Sequence, residues 1–66
     1  MFLQLKDGAL VNIFWLNNVY VDTEDTEDTK YIVIYEMVNG SKHKEVYDTE
    51  AEANTRKDSI IATLSQ

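Results

Sequence analysis

The sequence predicts an α+β fold: a four-stranded antiparallel sheet in meander order, then one C-terminal helix packed on one face (ββββα). Three observations predict it. Asp7-Gly8 and Asn39-Gly40 each lie between apolar runs, a strong short hairpin signal. "YIVIYEMV", residues 31–38, is β-branched and aromatic, with apolar residues at both alternations, as expected of an inner strand. The C-terminal segment abandons this alternation for the longer period of a helix.

The first hairpin joins "FLQLK" to "ALVNIFWL". A type I′ turn takes positive φ at both central residues. With Asp7 and Gly8 there, Lys6 pairs with Ala9, Leu5 with Leu10 and Leu3 with Asn12. One face then carries Leu3, Leu5, Leu10, Phe14 and Leu16; the other carries Phe2, Val11, Ile13 and Trp15. Asn17-Asn18 predicts a bend or bulge, because both residues tolerate left-handed backbone. The extended reading resumes at "VYV" and runs to the acidic segment.

In the inner strand, Tyr31, Val33, Tyr35 and Met37 share one face, and Ile32, Ile34 and Val38 the other. A turn at Asn39-Gly40 pairs Glu36 with His43, Tyr35 with Lys44 and Val33 with Val46. The helix begins after Thr49, which has Glu52 three residues on, the spacing of a capping box. Glu50 and Glu52 occupy the first turn, where the helix dipole favours acids. Glu52 and Arg56 are spaced to pair, and Ala53, Ile60, Ile61 and Leu64 form a narrow apolar stripe over about four turns.

Sixty-six residues with no proline and no linker predict a single domain, 1–66. A chain of this size buries only about 60% of its unfolded surface. Without cysteine it has no disulfide or thiolate zinc site to compensate. That raises the expectation of association. No signal or membrane-spanning segment is expected, and the absence of cysteine fits a cytoplasmic setting.

The net charge is −6, and its location is informative. Asp22, Glu24, Asp25, Glu27 and Asp28 crowd into "VDTEDTEDTKY", while the other seven acids nearly balance six Lys and Arg. Calcium-loop spacing fails: counted from Asp25, the glycine position is Lys30 and the later positions are strand. Thr23 and Thr26 each have a threonine three residues on, where an acid-directed phosphorylation site needs an acid. A DNA mimic spreads its charge over a long surface. The segment therefore reads as a solvated hairpin loop that also deters edge pairing.

No catalytic constellation, cofactor site or metal site is expected. His43 has no cysteine or second histidine to complete a metal site, and pairs instead with Glu36. Ser41, Ser59 and Ser65 lie outside any nucleophile-elbow motif, and both glycines are spent in turns. Trp15, Tyr20, Tyr31, Tyr35 and Tyr47 lack the basic surround of a base-stacking sheet.

"FLQLKDGALVN", "VNG" and "YDTEAEA" resemble a pattern in small strand-rich proteins of bacteria and their phages. Those chains open on a Lys/Asn-Gly hairpin and begin a terminal helix with a "DTEEEA"-like run. The resemblance covers most of the chain but not residues 22–29. It implies an α+β domain with no assigned activity, and no residue's role carries over from it.

The expectation is a small acidic non-enzymatic protein acting through protein–protein contact, as a homodimer. One helix cannot cover two apolar sheet faces, so contact is expected through Phe2, Val11, Ile13 and Trp15, or through Tyr31, Val33, Tyr35 and Met37. The alternatives are an acidic inhibitor that mimics nucleic acid to occupy a basic partner, and a sheet that binds nucleic acid itself.

Overall fold

A computed structural model describes residues 2–25 and 27–64. Thr26 and Ser65 thus lie outside the described residues. The chain is α+β, with antiparallel sheets and one C-terminal helix, but the strands do not form a single four-stranded meander. β1 (Phe2–Gln4) and β2 (Leu10–Asn12) make a two-stranded sheet of their own. β3 (Leu16–Glu24), β4 (Lys30–Met37) and β5 (Lys42–Tyr47) make a second sheet in that order, and α1 (Glu50–Leu64) follows.

Asn12 divides the two sheets. The expected long strand through residues 9–16 stops there, and Ile13–Trp15 form a 3-10 turn. The Asn12 side chain accepts the Phe14 amide at 3.0 Å, and such a local bond draws the backbone away from a ladder. The predicted irregularity at Asn17-Asn18 is present as a register shift between Leu16 and Asn18.

Both Asx-Gly hairpins depart from the expected turn in the same way. Leu5 N–H donates to Ala9 O at 2.8 Å and Gly8 N–H to Leu5 O at 2.9 Å. Met37 N–H donates to Ser41 O at 2.8 Å and Gly40 N–H to Met37 O at 3.0 Å. Each loop therefore holds three residues, 6–8 and 38–40, with positive φ only at the glycine: +92° at Gly8 and +91° at Gly40. This is the three-residue hairpin loop with a left-handed glycine. The Asx side chains hold it, Asp7 accepting from Ala9 N–H at 3.0 Å and Asn39 from Ser41 N–H at 2.9 Å.

The extra loop residue moves each register by one. Leu3 pairs with Val11, Tyr35 with His43 and Val33 with Glu45, so none of the expected cross-strand pairs forms. Glu36 faces Lys42, with which it makes a salt bridge at 3.9 Å, and not His43. A one-residue slip exchanges the faces of a strand. Glu45 therefore points into the core, where Val46 was expected.

The core joins both sheets and the helix. It contains Leu5, Val11, Val19, Val33, Tyr35, Met37, Ala53 and Ile60, with Tyr31 and Tyr47 packed at its margin. The helix starts as the sequence predicts: Glu52 N–H donates to Thr49 Oγ1 at 3.2 Å, and that hydroxyl donates to Glu52 Oε1 at 3.0 Å. Of the expected stripe, Ala53 and Ile60 are buried, while Ile61 and Leu64 stay exposed. On the opposite sheet face, Ile32 and Ile34 are buried without a helix. Tyr20 and Lys44 flank Ile34, and Asp22 and Val46 flank Ile32.

Candidate interaction surface

The largest apolar exposure lies on the N-terminal hairpin and the 3-10 turn. Phe2 and Leu10 are each 66% exposed, Phe14 78% and Trp15 60%. Pairing of Leu3 with Val11 turns Leu3, Leu5 and Val11 toward the core and leaves Phe2 and Leu10 outside. Phe2, Leu10 and Trp15 line a cleft of about 250 Å³ with Met37 and His43. Trp15 O accepts the Val38 amide at 2.8 Å, which brings exposed Val38 alongside. An aromatic side chain carries about 150–250 Å², so Phe2, Phe14 and Trp15 alone expose on the order of 400 Å², within the roughly 300–600 Å² of a monomer's largest patch, which is often functional.

The expected contact residues fall into two groups. Phe2 and Trp15 are on this surface, Val11 is buried and Ile13 is half-buried. The face of Tyr31, Val33, Tyr35 and Met37 is the one the helix covers. Val33 and Tyr35 are 0% exposed, which removes them from any surface of the folded chain. Leu10 and Phe14 were missed because the expected register and unbroken strand put both on the other face, with Leu3 and Leu5.

The acidic segment is at the far end. Asp22 and Glu24 belong to β3 itself, so only Asp25, Glu27 and Asp28 are in the loop, and all five side chains are exposed. Lys30 pairs with Glu24 in register and with Asp48 through a 2.6 Å salt bridge. No group of three or more metal-ligating side chains occurs among the described residues. From Leu16 to Glu24, strand geometry gives a separation of about 26 Å, against a longest molecular dimension of 36 Å. The molecule is apolar at one end and acidic at the other.

Between these ends lies a buried polar cluster that the expected register concealed. Glu45 is 2% exposed. Its Oε1 accepts from the Tyr35 hydroxyl, from the Tyr47 hydroxyl at 3.2 Å and from Arg56 Nε at 3.1 Å. Its Oε2 accepts from the Lys6 amide at 2.7 Å and from Arg56 Nη2 at 3.3 Å. Arg56 was expected to pair with Glu52; it reaches Glu45 instead. Burial raises the Glu45 pKa, but hydrogen bonds from Arg56, Tyr35 and the Lys6 amide outweigh it and hold the carboxyl below the usual range. Burial, then the bond to Glu45, pushes the Tyr35 phenol well above its ordinary value. Among the described residues no buried side-chain polar atom lacks a partner. The signal in the sequence was Arg56 itself, which lies between Ala53 and Ile60 at helical spacing.

No family model, curated protein or solved structure matches this chain. Among the described residues no helix is long and apolar enough to cross a membrane.

Proposed function

We propose that this chain is a non-enzymatic interaction domain that self-associates through its apolar end, with Phe2, Leu10, Phe14 and Trp15 at the centre of the contact. The carrying observation is the joint exposure of these four side chains around and beside one cleft. A second copy is the occupant because the charge layout suits it. A two-fold contact at this end keeps the two acidic segments well beyond the roughly 8 Å screening length at physiological salt. A standard interface takes about 800 Å² from each partner, a little under a fifth of the 4494 Å² surface. The aromatic patch supplies about half of that.

Trp15 is the only tryptophan, so its fluorescence reports on this surface alone. Dilution from high to low micromolar concentration moves its emission to the red as the indole returns to water. Emission that is unchanged on dilution, with the wavelength of a fully hydrated indole throughout, contradicts the reading.

The second reading is an acidic inhibitor that occupies a basic partner with residues 22–28. The exposure of all five acids at one end favours it. It requires that capture of such a partner weaken steeply with salt and disappear when Asp25, Glu27 and Asp28 are neutralised.

A further inference from the structure

We infer that Glu45, gripped by Arg56, is the positioning residue that seats the N-terminal hairpin and so determines how Phe2 and Leu10 are presented; as a role in association, this rests on the function proposed above. The β1–β2 sheet shares no ladder with the β3–β4–β5 sheet. Two strands of three residues are marginal by themselves. Leu5 and Val11 hold the hairpin to the core. Apolar adhesion is non-directional, so it does not set the angle of a small hairpin.

The polar links of the hairpin converge on one place. The Lys6 amide donates to Glu45 Oε2 at 2.7 Å. Arg56 Nη2 spans the seam, donating to Glu45 Oε2 at 3.3 Å and to Gln4 O at 3.0 Å. Lys6 Nζ donates to Val46 O at 2.6 Å and lies 4.3 Å from the centre of the Tyr47 ring. These bonds hold the closed end of the hairpin, while the chain holds its other end through the 3-10 turn. Both Glu45 oxygens are engaged from all sides: by Tyr35 of β4, Tyr47 of β5, Arg56 of α1 and the Lys6 amide. The carboxylate has the arrangement of a joint between elements and not that of a ligand site.

Residue-resolved amide exchange on the full chain, with sedimentation of the same samples, tests this. In Glu45→Gln the amides of Leu5, Lys6 and Val11 lose protection by about tenfold or more, since a hydrogen bond to a charged group is lost or weakened. Those of Val33 and Tyr35 lose less protection, no more than the fall in global stability that urea unfolding gives, and self-association weakens in step with the hairpin. If Glu45→Gln does not fold, Arg56→Lys decides the matter. It keeps the charge but gives up the two-point grip and the Gln4 contact, and it loosens the hairpin selectively and more mildly. Equal loss of protection in the hairpin, β4 and α1 overturns the inference, as does an unchanged hairpin. If the wild-type chain is monomeric, the proposed association falls, while the exchange pattern still decides whether Glu45 seats the hairpin.

Discussion

Arg56 holds Glu45 at two points inside the molecule, Nε to Oε1 at 3.1 Å and Nη2 to Oε2 at 3.3 Å. The Glu45 side chain is fully enclosed, and the Arg56 side chain is about a quarter exposed. Removing one partner of such a pair leaves the other buried and uncompensated, at a cost of about 3–5 kcal/mol. Arg56→Met is therefore expected to lower unfolding stability by about 3 kcal/mol, toward the lower end because Tyr35, Tyr47 and the Lys6 amide still serve the carboxylate. The midpoint of urea unfolding measures it.

The same pair gives a pH dependence of defined sign. The Glu45 carboxyl titrates below its ordinary value in the folded chain, so folding favours the charged form. That contribution is complete above the unfolded glutamate pKa of about 4.3. It is lost as the pH falls through the lower folded value. Wild-type stability therefore falls on acidification below about pH 4.3, and Glu45→Gln, less stable at neutral pH, falls less steeply. Urea midpoints for both proteins across the acid range check this difference.

The two loop glycines make an independent prediction. Both have φ near +90° and open space where a side chain would begin. Backbone strain alone then sets the cost of substitution. Gly8→Ala and Gly40→Ala should each cost about 1–2 kcal/mol. Gly→Asn should cost less at either site, because asparagine tolerates left-handed backbone. Thermal unfolding of the four variants ranks them.

Neutralising Asp25, Glu27 and Asp28 to their amides touches neither the core nor the apolar end. Stability should stay within about 0.5 kcal/mol, and self-association should be unchanged. A marked gain in association would mean that the acidic loop lies near the contact. Unfolding and sedimentation of the triple variant provide the check.

The strand composition of 31–38, the hairpin positions and the capped C-terminal helix were legible because each rests on local chemistry. Register was not legible. Asp7-Gly8 and Asn39-Gly40 are compatible with a two-residue or a three-residue loop, and the choice depends on what each face then meets. A two-residue turn at Asn39-Gly40 puts Val46 opposite Val33. The fold instead places Glu45 there, because Arg56, Tyr35 and Tyr47 converge on it from three elements. Such a long-range arrangement leaves little trace in local alternation. The division of the sheet at Asn12 was missed for a related reason. A single side-chain bond to the Phe14 amide ended a run whose apolar residues continued to Leu16.

Sedimentation equilibrium tests the central claim most directly, comparing the wild-type chain with a Phe2→Ser/Trp15→Ser variant. Both substituted side chains are exposed, so the variant keeps its fold, as far-UV circular dichroism verifies. The account predicts a wild-type mass that rises with concentration toward twice 7.6 kDa, and a variant that stays at 7.6 kDa. A wild-type chain that remains at 7.6 kDa up to high micromolar concentration, or a variant that associates equally well, contradicts it.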